Sequence, residues 1–566
     1  MKERLRGDSW KINWNNWSKE IFERSSKENK LILLSLSAVW CHWCHVMDET
    51  TYSEPEIIRT INENFIPVRV DVDQRPDIAE RYNFGGYPTF AFLNSKGDIL
   101  LGGTYVPPEQ FKEILKEVIE LAKNEDLNKE TTSLIQSIFK PSETEPNQKV
   151  IWDILDLVTT MYDRVYGGFG VQPKFPISDA LLFLENMYIL TNQQGIKTMV
   201  CKTLDNIVNG LFDKEEGGFF RYSVTRDWST PHYEKMLDTN SNLLLIYSNA
   251  FVLFHEEKYL KIANKTLEYI LNKLYDKNEK LFYGSQDADE EYYKLSLSER
   301  KKVKEPIVDK TFYAYQNSLC ADSILRFGII TENKELIELS KEVTYKIIEK
   351  FYNYKGITHI QNEKLYLLND NIYFLKLLLD LYQTTFEEIF LKKANDIANK
   401  IIENFFDKNY FLLKDKIETQ EDFGLLKEPY FPIHENSLAV AEFKILGEIQ
   451  RNEAFSNFSK KIASVLSSIY QKYSIFASQL GSSLILYLNP IEIKLVNEEK
   501  TKYENLLIKN KLIIYPNVFI TYTKPNEIYS KEGIYVCKGN LCYPPIQNED
   551  ELIKLIRKIN YEFVNY

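Results

Sequence analysis

The sequence predicts a chain in three parts: an α/β domain over residues 1–125, an all-α (α/α)6 toroid of six helical hairpins over 126–487, and a small α/β subdomain over 488–566. Three observations predict it. Short β-branched runs alternate with helical spacing in the first part. Twelve helical segments follow one another in the second. Strand-like runs return after residue 488.

In the first part, β-type runs cover 30–38, 65–73, 88–94 and 99–106, and helical spacing covers 54–64 and 107–122. At the first strand-to-helix junction lies Cys41-His42-Trp43-Cys44. A thiol at a helix N-terminus is stabilised as thiolate by the unpaired N–H groups there. That makes Cys41 the attacking thiol and Cys44 the resolving one. This order of elements, with the Cys pair at that junction, resembles thioredoxin. Gly86-Tyr-Pro-Thr89 resembles its cis-proline loop, so Pro88 is expected to bind an extended thiol partner. One Cys-x-x-Cys supplies only half of a tetrahedral zinc site, so no metal is expected.

The twelve helical segments are 148–164, 178–193, 196–212, 238–256, 258–275, 310–328, 333–351, 368–384, 385–405, 434–450, 453–472 and 476–486. The links between them alternate short and long. Several long links begin alike: Tyr162-Asp163…Gly167-Gly-Phe169, Phe212-Asp213…Gly217-Gly-Phe219, Tyr275-Asp276…Phe282 and Phe406-Asp407…Phe411. Asp with Gly or Asn nearby ends a helix in a tight turn. Hairpins of this kind must bury an apolar face against their neighbours. A closed ring of six satisfies all of them and gathers the long loops on one rim, where binding and chemistry usually sit.

The rim loops supply the candidate site. His232 and Glu234 precede the fourth helix, and His and Glu are common acid/base groups. Asp287 and Asp289 are one residue apart and, in an extended segment, share a side. These four are expected to be catalytic. Phe169, Lys174, Arg221, Trp228 and His434 are expected to bind substrate, with Phe219, Phe282, Tyr283 and Phe431 as further stacking faces. Acids, a His and aromatic faces together suit a carbohydrate. His255 ends a helix, and His359 has no acidic neighbour in sequence. Cys201 and Cys320 read as buried thiols. Cys537 and Cys542 can form a local disulfide, supply thiols to Cys41/Cys44, or be structural.

The net charge of −11 argues against a nucleic-acid or anionic-membrane partner. No apolar run reaches the roughly 20 residues of a membrane span. No secretory leader is visible, so the cytoplasm is the expected compartment. There is no Walker A sequence, and Gly167-Gly-Phe-Gly170 is not a dinucleotide fingerprint, so no cofactor is expected.

Several motifs together resemble one family, the spermatogenesis-associated thioredoxin-domain (YyaL-type) proteins. They are Cys41-His-Trp-Cys-His-Val-Met47, Arg75-Pro-Asp77, Gly102-Gly-Thr-Tyr105, Gly167-Gly-Phe-Gly170, Pro173-Lys-Phe-Pro176, Pro231-His-Tyr-Glu-Lys-Met-Leu237, Gln286-Asp-Ala-Asp289, and Tyr535-Val-Cys537 with Cys542. Where the family reads Ser-Trp-Asn, this chain reads Ala314-Tyr-Gln-Asn317. The resemblance implies a thioredoxin-like domain joined to a toroid like those of sugar 2-epimerases and glycoside-processing enzymes. Two functions follow: carbohydrate processing by acid/base chemistry beside a thiol-redox site, or thiol-disulfide exchange with the toroid as a recognition module.

Overall fold

A computed structural model describes residues 5–124, 143–499, 511–539, 541–546 and 549–565. The expected boundary at 125/126 lies outside them.

The N-terminal domain runs α1 (Lys19–Glu28), β1 (Leu31–Ser37), α2 (His42–Glu49), α3 (Pro55–Asn64), β2 (Phe65–Asp71), α4 (Pro76–Tyr82), β3 (Thr89–Leu93), β4 (Ile99–Gly103) and α5 (Pro108–Asn124). The sheet order is β2-β1-β3-β4, with β1 parallel to β2 and the other pairs antiparallel. Every residue of β1 is buried, as expected for a central strand covered on both faces. Helices α1 and α4 were not expected from the periodicity. Helix α4 is short and starts on Pro76, which suits the first helical turn.

The twelve expected helices are all present. They are α6 (Gln148–Met161), α7 (Ser178–Thr191), α8 (Gln194–Leu211), α9 (Leu237–Phe254), α10 (Glu257–Tyr269), and, after the short α11 (Glu290–Tyr293) and α12 (Leu297–Arg300), α13 (Ala314–Ile330), α14 (Lys334–Phe351), α15 (Leu368–Thr385), α16 (Glu388–Phe405), α17 (Ile433–Gln450), α18 (Glu453–Ile469) and α19 (Ser478–Leu488). Helices α7, α9, α13, α15, α17 and α19 each pack against the next, and α19 returns to α7. The ring is therefore closed. Helices α8, α10, α14, α16, α18 and α6 pack outside α7, α9, α13, α15, α17 and α19 respectively. The difference is written in side chains. Nearly all of α13 is buried, whereas α8 buries a single stripe through Ile196, Val200, Leu204, Ile207 and Leu211.

A repeated asparagine ties four of the rim loops to the helix that follows each. Asn240, Asn317, Asn371 and Asn436 occupy the fourth position of α9, α13, α15 and α17. Their side chains accept from and donate to the backbone of Phe219, Phe282, Ile357 and Leu413. The aromatic that follows the exit Asp in two of these loops is thus held by its main chain, with its ring sent into the core.

The C-terminal part contains β5 (Ile491–Val496), β6 (Val518–Thr523), β7 (Gly533–Lys538), β8 (Leu541–Cys542) and a closing helix, Glu549–Asn565. The order β6-β5-β7-β8, and the strand senses, repeat those of the N-terminal sheet. The expected strand at 512–515 is instead a 3-10 turn, Leu512–Ile514. Cys537 faces Cys542 across β7 and β8, and the two form a disulfide.

Candidate functional site

Cys41 caps the N-terminus of α2, its Sγ accepting from the Cys44 amide at 3.2 Å. The two cysteines form a disulfide. Both sulfur-bearing residues are buried, Cys41 at 3% exposure. Their cover comes partly from the toroid, because Met236 joins Trp40, Cys41 and Cys44 in one apolar cluster. The Tyr87–Pro88 bond is cis, with Tyr87 edge-on to Trp40. Of the motif only His42 and Trp43 reach the surface.

The domain sits on the toroid rim through four loops. In the loop before α9, the Arg221 guanidinium lies 4.2 Å over the Trp40 ring, and the His232 ring is 6.2 Å from that of His42. In the next loop Asp287 accepts from Arg6 at 3.0 Å and lies 3.8 Å from His45. Burial pushes the Asp287 carboxyl up to about 7 against the pull of Arg6. Burial, then Arg6, drives His45 down to about 3, so it is neutral. In the fourth loop His359 Nε2 donates to the Asp73 carbonyl at 2.7 Å while Nδ1 meets Asp370 at 3.0 Å. Burial opposes charge on His359, but Asp370 outweighs it and raises the pKa. In the fifth loop Asp415 takes a forked pair of hydrogen bonds from Arg81, and Phe423 stacks on Phe22.

Between α4 and the uncovered part of the rim lies a cavity of about 580 Å³, within the usual size range of small-molecule sites. Glu80 and Asp77 line it from α4; Asp179, His434, Glu435 and Tyr430 line it from the toroid. His434 Nδ1 is 2.8 Å from Asp179, and Nε2 is 2.6 Å from the Tyr373 hydroxyl. Burial lowers the His434 pKa, but Asp179 overcomes it and raises the value to about 9. The Glu435 carboxyl is raised, first by burial. Beyond Tyr373 the polar line continues through the Tyr315 ring to Asp238, 3.5 Å from the Tyr315 hydroxyl. Asp179, Asp238, Tyr315 and His434 are each the second residue of an inner helix. That common position is a signal carried by the sequence itself.

Several expected site residues have other jobs. Lys174 is fully buried and gives its ammonium to Asp163 at 2.7 Å, beside an Arg226–Asp163 pair. Trp228 is buried against it, its indole N–H donating to the Tyr166 carbonyl. Neither can contact a substrate; together they pin one rim loop to the next. Phe169, Phe219 and Phe282 are core residues, because their rings fold behind the hairpins. Tyr283 stacks on Phe312, and Phe431 packs on Tyr410. Asp289 caps α11, accepting from the Tyr292 amide, while Asp287 faces Arg6, so the two acids serve different partners. His232 pairs with buried Glu234 at 2.8 Å and stacks on Tyr222 at the dithiol side of the rim. His359 has an acidic partner after all, eleven residues on, at the start of α15. Cys320 is buried, but Cys201 only half-buried. Among the described residues, no cluster of three or more His, Cys, Asp or Glu is arranged to hold a metal ion, and no helix is long and apolar enough to cross a membrane.

Residues 5–162 match the family model Thioredox_DsbH, described as a protein of unknown function, DUF255. Human spermatogenesis-associated protein 20 is 33% identical over 311 residues, 49% of this chain and 39% of that protein. Residues 5–162 thus carry the domain of that family model, and about half of the chain is similar to spermatogenesis-associated protein 20. The match covers well under half the length of that human relative. An uncharacterized protein of Caenorhabditis elegans is 22% identical over 97% of this chain and 95% of its own length. Thioredoxin-1 of Drosophila melanogaster is 33% identical over 79 residues, 14% of this chain and 68% of that protein. The thioredoxin-like domain is therefore the part seated on the rim. Among solved structures, a D-mannose isomerase aligns with TM-score 0.49 at 12% identity, over 61% of this chain and 98% of that one. Cellobiose 2-epimerase from Bacillus thermoamylovorans aligns with TM-score 0.48 at 12% identity, over 56% and 87%.

Proposed function

We propose that the protein transforms a carbohydrate or related polyol in the mouth cavity by acid/base chemistry, with the dithiol as a redox group on the same rim. The observation that carries the reading is the His434–Asp179 pair beside Glu435 in that cavity. A histidine kept protonated by Asp179, its ring nitrogens held by Asp179 and Tyr373, supplies fixed positive charge beside the cavity at neutral pH. A carboxyl raised by burial supplies a base of useful strength. In this reading Glu435 takes a proton from a carbon beside a sugar carbonyl. The His434 imidazolium steadies the charge that develops on the oxygen. Glu435 in its protonated form also suits protonation of a leaving oxygen in hydrolysis. His232 and Glu234 serve the dithiol end, where His232 faces His42. The test is turnover of a panel of aldoses, ketoses and short oligosaccharides followed by proton NMR. Turnover of one sugar, lost in Glu435→Gln and His434→Asn with the fold intact, supports the reading. No binding and no turnover across the panel refutes it.

A second reading, thiol-disulfide exchange with a client held by the toroid, rests on Cys41 at its helix N-terminus. The buried sulfurs under Met236 weigh against a large client. A Cys44→Ser variant that traps a mixed disulfide with a defined protein favours it over the first.

A further inference from the structure

We propose that the far end of the toroid holds a second ligand site, for a small aliphatic amine in its ammonium form, in a chamber roofed by the C-terminal subdomain. The chamber has a volume of about 190 Å³. Its walls are largely the C-terminal halves of the inner helices, and its roof is the segment 512–520. Two contacts fix the roof. Arg326 Nη1 donates to the Ile513 carbonyl at 3.1 Å, and the Gln383 side-chain oxygen accepts from the Ile520 amide at 2.9 Å. Glu442, on the chamber wall, lies eight residues beyond His434 on α17, roughly 12 Å further along the axis. The mouth and the chamber are therefore separate places on one axis.

The chamber is short of hydrogen-bond donors. Glu442 lines it at 4% exposure, and its Oε2 is buried without a partner. Asp322 Oδ1, whose charge acts on Glu442, and Glu185 Oε1, whose carboxyl bonds the chamber-lining Asn249, are buried and unpartnered as well. Each of these oxygens is an acceptor once its carboxyl is ionised. The two local cations are already engaged: Lys376 with Asp322 at 2.5 Å and Asp380 at 2.8 Å, Arg326 with Asp380 at 2.5 Å. Three carboxyls, from Asp322, Asp380 and Glu442, thus share two cations. Unpaired acceptors out of water are costly, so such groups are normally satisfied by a partner. A partner that donates hydrogen bonds and brings positive charge satisfies these oxygens and draws Glu442 into its ionised form. An ammonium does both, and the apolar lining from Leu182, Leu245, Ile329 and Leu438 suits a short alkyl stem. At roughly 30 Å³ per water-sized group, the space takes about six non-hydrogen atoms. Burial also pushes the Glu442 carboxyl up to about 8, so an ammonium bound there displaces a proton.

The test uses the full chain, a set of linear monoamines and diamines of two to six carbons, and isothermal calorimetry with thermal unfolding as a second readout. The proposal expects saturable one-site binding of at least one amine, with a rise in Tm and proton release below about pH 8. Binding should weaken at least ten-fold in the isosteric Glu442→Gln, which removes the charge and keeps the shape. Glu435→Gln in the mouth should leave it unchanged. No saturable binding by any of the amines overturns the proposal. So does binding that survives Glu442→Gln or disappears in Glu435→Gln, because the amine then sits elsewhere.

Discussion

The Arg221 guanidinium lies 4.2 Å over the ring of Trp40, the residue immediately before the Cys41–Cys44 pair. A rim loop of the toroid and the wall of the dithiol are thus one packed surface, and Met236 from the same loop completes the cover. Removing the cation should loosen that cover without unfolding either domain. Arg221→Ala should cost about 0.5–2 kcal/mol, the range of a desolvated cation–π contact. It should also speed alkylation of reduced Cys41 several-fold. Timed alkylation with mass spectrometry checks this, and an unchanged rate in a folded variant contradicts it.

Asp287 makes the docking of the thioredoxin domain pH-sensitive. Its folded pKa, about 7, is above the unfolded value of 3.8. A group raised in the folded state favours folding fully below its unfolded pKa, and that contribution fades as pH rises through the folded one. The window is therefore pH 4 to 7, and above it the charged, buried carboxylate is a net cost. Asp287→Asn should leave stability near pH 4 almost unchanged. At pH 8 it should raise stability by about 1–4 kcal/mol. Denaturant midpoints at both pH values check it. A variant less stable than wild type at pH 8 would mean that the Arg6 contact outweighs the burial cost.

The asparagine clasps should carry stability and no chemistry. Asn371 is fully buried and makes three backbone hydrogen bonds, two to Ile357 and one to Leu367. Asn371→Ala leaves buried backbone groups unpaired and should cost about 2–4 kcal/mol. The KM for any sugar turned over should not move. A large change in KM with full stability would give the clasp a different role.

Much of this architecture is readable in the chain because it follows from local pattern. The twelve helices appear at their apolar spacing. The exit aspartates Asp163 and Asp213 do begin tight loops, accepting from the amides of Val165 and Glu215. They also anchor buried Lys174 and Lys235, which spacing alone does not reveal. What could not be read is which way a loop residue turns. Phe169 and Trp228 looked like stacking faces but lie inside, because their loops fold back over the helix ends. Long-range partners were also invisible: Asp179 and His434 meet across 255 residues, on the first turns of α7 and α17. Recording each polar residue by its position in the inner helices would have paired them, since both stand second.

If proton transfer takes place in the toroid mouth, exchange with solvent at a sugar carbon tests it most directly. Each candidate sugar is incubated with the protein in D2O, and deuterium at the carbon beside the carbonyl is measured by NMR. The prediction is deuterium incorporation by wild type, retained in Cys41→Ser and Cys44→Ser, and reduced about 10²–10⁴-fold in Glu435→Gln, the usual worth of a general base. Incorporation that persists in Glu435→Gln, or that fails with every sugar, would contradict it.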